Sequence, residues 1–205
     1  MTHRTLRNNG SILEVYERVL KAVEGLSPDS LVIEHALLAA HDQQARAVRL
    51  GIPVTVQHAL LWNMGSEMLE TWGVERTARV NPIDEWLARG AALAVGTDIV
   101  RPFNPLLNVW GMVTRGTRTA GVQGPEHAID RYTAIELYTA GSARLDREAA
   151  RRGVLHSGYL ADFVAYDRDP LTVDIDQIAE LTPVATVVGG RPTHDPDNRL
   201  GTSRA

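Results

Sequence analysis

The 205-residue chain is 44% hydrophobic and 22% charged, carries a formal net charge of -4, and contains no cysteine. This is the composition of an ordinary globular protein with material for one core and a small satellite, and it lacks the basic face that a nucleic-acid binder presents. Without cysteine there is neither a disulfide framework nor a thiolate site, so any metal must be held by histidine and carboxylate side chains.

Residues 1–10 are polar and turn-rich and lack the apolar segment of a signal peptide. No apolar run in the sequence approaches the length of a membrane span, so a cytoplasmic location is expected. Ile12, Val15, Tyr16, Val19 and Leu20 then fall at helical spacing, with Ser11 as N-cap and Glu14 three residues on; they predict a helix over 11–24, ended by Gly25. Ser27-Pro28-Asp29-Ser30 turns the chain into Leu31-Val32-Ile33, a brief buried strand closed by Glu34-His35. A second helix is predicted over 36–50 and ended by Gly51, followed by a strand over 52–56 closed by Gln57-His58. The mixed-charge segment 64–79 reads as a loop with a helix, and 83–89 as a short helix.

Residues 92–95 form an apolar run without alternation, as in a parallel strand buried on both faces; it stops at Gly96-Thr97 and delivers Asp98. Beyond it come Asn104-Pro105, an apolar stretch with Trp110 and Met112, and the Gly/Thr/Arg-rich segment 114–125, which either covers a substrate or is an exposed connection. Spacing predicts a helix over 132–145, weakened by Gly141-Ser142. From Gly153 onward glycine turns alternate with short β-prone segments, the pattern of a small β-rich unit, before a polar tail over 195–205.

Alternating strands and helices of this length call for right-handed crossovers and a parallel sheet. In such folds the chemistry collects at the C-terminal ends of the strands, where loops vary over a rigid base. Asp98 taken alone either caps its own turn or performs chemistry. A histidine and an aspartate at the ends of strands two βα units apart, His35 and Asp98, form a constellation on one rim. Trp62, Trp72 and Trp110 either line a pocket or, by default, pack in the core or a lid; Asp162 reads as structural, and His41, His127, His156 and His194 receive no role.

The pieces Ile33-Glu34-His35-Ala36, Val56-Gln57-His58 and Gly96-Thr97-Asp98 with Asn104-Pro105 resemble the amidohydrolase superfamily, and within it the YtcJ-like branch of metal-dependent hydrolases. The segments 137–143, 158–163 and 186–190 are similar to that branch's closing helix and the C-terminal part of its β domain, so the resemblance covers nearly the whole chain in order. It implies the C-terminal half of a (β/α)8 TIM-type barrel, about strands five to eight, over 1–150, with part of a small β-rich domain over 151–205. It places His35 at a metal-ligand position and Asp98 at the carboxylate that takes a proton from the attacking water and passes it to the leaving nitrogen. It also places His3 near a third ligand, although the residues after His3 depart from the family pattern. His58 falls at a position that is substrate-side or packing, and Arg101 either meets an anionic substrate group or is a solvated loop residue.

The resemblance thus implies a divalent metal, zinc by expectation, and hydrolysis of a non-peptide C–N bond of an amide, formamide or cyclic imide. The His-x-His pair of the family's first strand has no counterpart among the seven histidines. The chain is therefore expected to be a truncated enzyme, or else a non-catalytic fragment or subunit that needs a separate N-terminal barrel half. A homo-oligomer or that complementary half is the expected partner, beside a small-molecule substrate, with no nucleic acid or membrane.

Overall fold

The computed structural model describes residues 8–98 and 104–201. His3 and Arg101 lie outside them. Helix α1 (Asn8–Ala22) is followed by α2 (His41–Leu50), strand β1 (Val54–Val56), α3 (His58–Trp72), α4 (Val74–Ala78), α5 (Ile83–Ala88), β2 (Leu93–Val95) and α6 (Pro105–Thr114). Then come α7 (Arg131–Glu136), a π-helical turn (Leu137–Gly141), α8 (Ser142–Leu145) and strands β3 (Phe163–Tyr166), β4 (Pro183–Val188) and β5 (Arg191–His194). The architecture is mixed α/β, and among the described residues no helix is long and apolar enough to cross a membrane.

β1 and β2 pair in parallel, Val54 with Leu93 and Val56 with Val95. Ile33 bridges to Val54 on the other side of β1, also in parallel. The expected strand over 31–33 is reduced to that bridge, held by Ile33 N–H to Pro53 O (3.0 Å) and Thr55 N–H to Ile33 O (2.9 Å). Every residue of β1 and β2 is buried, which is why neither strand alternates. Leu13 of α1, Ala47 of α2, Ile83 and Trp86 of α5, Leu106, Val109 and Met112 of α6, and Ala134 and Leu137 pack with them in one core.

Helical boundaries depart from the sequence pattern where local hydrogen bonds compete. The helix expected over 36–50 starts only at His41, because Ala36 adopts φ 40° and its N–H turns back to Glu34 O. Gln43 Oε1 then accepts from the Ala40 N–H at 3.0 Å, satisfying one of the donors that a helix start leaves open. The segment read as a loop with a helix over 64–79 is helical from His58 on. Gly65 is tolerated inside α3 because Thr117 packs there, so close that a β-carbon would come within 2.9 Å of its Cγ2. Asn104 starts α6: its Oδ1 accepts from Leu106 N–H (3.0 Å) and Leu107 N–H (3.4 Å), with Pro105 at the first helical position.

β3, β4 and β5 form an antiparallel sheet in that order, with Gly189 and Gly190 turning β4 into β5 at positive φ. This β-rich unit shares the core. Ile178 and Leu181, between β3 and β4, are buried with the helices around the parallel strands. Asn104 Nδ2 donates to Ala179 O (2.8 Å), Trp110 Nε1 to Asp176 Oδ1 (3.0 Å) and Arg131 to Val173 O (2.6 Å), fastening segment 173–181 to α6 and α7.

Candidate functional site

Because Ile33, β1 and β2 run parallel, their C-terminal ends leave the sheet at one edge. That edge carries Glu34-His35-Ala36, Gln57-His58 and Gly96-Thr97-Asp98. His35 (φ 71°), Ala36 (φ 40°) and Asp98 (φ 55°) all hold left-handed backbone. Side chains with a β-carbon pay ~1–2 kcal/mol for that conformation, and such strain concentrates where a fold holds side chains for a purpose. His35 is half-buried and Asp98 is exposed.

His35 is fastened from behind. Its Nδ1 lies 2.8 Å from Gln57 Oε1. Gln57 Nε2 donates to Thr55 Oγ1 at 3.0 Å, and Thr55 Oγ1 in turn donates to the Glu34 carboxylate. Thr55 of β1 and Gln57, one residue beyond its end, are two positions apart along extended backbone and so share a face; both are buried. Asn81 Nδ2 donates to the Gln57 carbonyl at 2.9 Å and fixes its backbone.

The end of β2 that carries Asp98 is held from the opposite side. Asn108 Nδ2 of α6 donates to Gly96 O (3.0 Å) and hydrogen-bonds the Tyr138 hydroxyl, while Ser142 Oγ reaches Val95 O at 3.5 Å. Tyr138 lies within the π-helical turn and Ser142 directly follows it; the turn's extra residue lets Gly141 approach the Leu93 carbonyl so closely that a β-carbon there would sit at 2.9 Å. Burial pushes the Tyr138 hydroxyl above the usual tyrosine range.

His58, the first residue of α3, has no exposed surface. Its ring packs against α6 at Gly111, where a β-carbon would stand 2.4 Å from its Cδ2. Neither ring nitrogen has a hydrogen-bond partner; the Gly116 backbone is near enough to favour protonation but lacks hydrogen-bond geometry. Burial, with the Arg115 guanidinium nearby, brings its pKa down to about 3, so the imidazole is neutral. These are the surroundings of a packed side chain.

Arg115 and Gln57 carry weight that the sequence did not signal. Arg115, fully buried at φ 58°, donates to the carbonyls of Gln123, Gly124, Asn81, Ala78 and Val80 at 2.8–3.2 Å. It ties segment 114–125 to the turn before α5, so that segment is anchored, and its deeper part is no free connection. Gln57 stood beside a histidine in a Val-Gln-His run, and only the pairing of strands shows what it faces.

Imidazole and carboxylate are ordinary donors for a divalent cation, and His35 and Asp98 suit one in kind. Among the described residues no three His, Cys, Asp or Glu side chains come close enough to hold an ion.

Three comparisons bear on this site. A family model described as "Amidohydrolase family" matches residues 3–194. The amidohydrolase-type protein YtcJ of Bacillus subtilis (strain 168) is 28% identical over 190 residues, covering 88% of this chain and 35% of its own length. The N-substituted formamide deformylase of Arthrobacter pascens is 25% identical over 182 residues, covering 87% of this chain and 33% of its own. Among solved structures, an uncharacterized metal-dependent hydrolase from Pyrococcus horikoshii OT3 superposes with a TM-score of 0.65 at 29% identity, over 82% of this chain and 33% of that one. The chain thus spans about a third of the length of the relatives it matches.

Proposed function

The chain belongs to the amidohydrolase family, and on that premise we propose that it carries part of the site of a metal-dependent hydrolase acting on a non-peptide C–N bond. The observation that carries this reading is the placement of His35 and Asp98 at ends of parallel strands, both in left-handed backbone, on one edge of the sheet.

In this reading residues 1–150 contribute about strands five to eight of a (β/α)8 barrel, and 151–205 part of a β-rich domain. His35, Asp98 and His3 hold a divalent cation, zinc by preference for a nitrogen-and-oxygen donor set. A bound cation of this kind supplies acidified water and polarises a carbonyl. The Asp98 carboxylate accepts a proton from the attacking water as its oxygen bonds to the carbonyl carbon. It returns that proton to the nitrogen as the C–N bond breaks, leaving an acid and an amine. Its exposure suits proton exchange with a substrate. Arg101 is assigned to an anionic group of the substrate, and His58 to the packing beneath. The formamide deformylase among the relatives favours a formamide or related amide as substrate.

A second reading is that the chain is non-catalytic alone and acts only with a complementary N-terminal half or a second copy. That no three His, Asp or Glu side chains gather among the described residues favours it. Metal analysis of a monodisperse chromatographic peak tests both. Stoichiometric divalent metal with hydrolysis of N-substituted formamides supports the first reading; a well-folded peak without metal or turnover supports the second.

A further inference from the structure

We propose that Glu34, Thr55 and Gln57 form a directional hydrogen-bond relay that locks His35 in its Nδ1–H tautomer, leaving Nε2 with the lone pair. The relay deepens the hydrolase reading and takes its purpose from it, since a ligating imidazole must offer a deprotonated nitrogen to the cation.

The direction follows from what each group can do. A carboxylate only accepts, so the Thr55 hydroxyl spends its single proton on Glu34. Thr55 Oγ1 can then serve Gln57 only as an acceptor, which turns the Gln57 NH2 toward it at 3.0 Å. The two ends of a carboxamide are ordinarily interchangeable in appearance; here the carboxylate at the far end of the chain distinguishes them. Gln57 Oε1 is left facing His35 Nδ1 at 2.8 Å, and an amide oxygen accepts, so Nδ1 carries the proton.

Burial keeps water from taking over either link. Thr55 is 5% exposed and Gln57 6%, and the Gln57 backbone is held by Asn81. Glu34 stands exposed, so the anchor of the relay can be altered without opening the core. Thr55 and Gln57 are positioning residues: they act on chemistry only through His35.

The test is nitrogen-15 NMR of the His35 ring in the metal-free full chain. The expected signature is a protonated Nδ1 and a deshielded, lone-pair Nε2. In Glu34→Ala the anchor is gone, Thr55 can donate to Gln57, the amide turns over, and the lone-pair signal moves to Nδ1. Thr55→Val, which removes donor and acceptor together, leaves the amide undirected and shifts part of the lone-pair signal to Nδ1, while Thr55→Ser, which keeps the hydroxyl, retains the wild-type pattern. A wild-type ring protonated at Nε2 overturns the proposal. So does an unchanged pattern in Glu34→Ala, which decides the matter should Thr55→Val fail to fold. Zinc titration of the same samples separates the two readings. The expected tautomer in a chain that takes up no zinc leaves the relay standing and counts against the hydrolase reading; zinc uptake with the opposite tautomer does the reverse.

Discussion

Asp98 sits exposed at φ 55°, in a conformation that aspartate tolerates better than most residues but that still costs free energy. Its side chain caps no described helix, and the role proposed for it is proton transfer between the attacking water and the leaving nitrogen. In whatever assembly proves active, Asp98→Asn should lower kcat by ~10²–10⁴-fold with the fold unchanged, read by steady-state kinetics beside circular dichroism. His58 makes a different prediction. Burial first, and Arg115 second, bring its pKa from 6.5 to about 3. A base whose folded pKa is depressed stabilises the protein fully above its unfolded pKa. That contribution is lost as pH falls from about 6.5 toward about 3, since the unfolded chain then binds the extra proton. His58→Leu, which removes the titrating group together with two unpaired buried nitrogens, should flatten the fall in urea midpoint across that window.

At the scale of elements, caps and close approaches position the site more than helix propensity does. Asn104 ties its own helix to the β-rich unit: Oδ1 caps α6, and Nδ2 holds the Ala179 carbonyl. Asn104→Ala should therefore cost ~1–2 kcal/mol in a denaturant melt, the upper part of the range for a lost cap because a tertiary bond goes with it. The helix expected over 132–145 is present in place and length, but its middle turn is π-helical. Gly141-Ser142 marked that irregularity in the sequence; its cause, the approach of Gly141 to the Leu93 carbonyl, lies in a distant segment.

Across the whole molecule one buried cation integrates the parts. Arg115 is fully buried, and burial draws its pKa down to about 10, with Asp84 and Glu126 opposing the fall. Its donors satisfy carbonyls from two separate turns, at 78–81 and 123–124. Arg115→Met should destabilise the chain by ~3 kcal/mol or more, because several buried carbonyls lose their partner together. Protection of the backbone amides over 114–125 should fall in hydrogen exchange at the same time.

Composition, the unalternating runs before Gln57 and Gly96, and the acidic and imidazole residues after the strands were enough to place a parallel α/β arrangement with His35 and Asp98 on one edge. Those features are local: a strand's burial shows in its own residues, and parallel strands release their ends at a common side. Strand pairing and packing decided what surrounds the pair. Ile33 became a single bridge, Ala36 left the helix, Gln57 turned to His35, Asn108 took the Gly96 carbonyl, and Arg115 closed over carbonyls from distant turns. A hydrogen bond between residues 22 or 12 positions apart leaves no periodic trace in a chain, because it depends on which segments meet after folding.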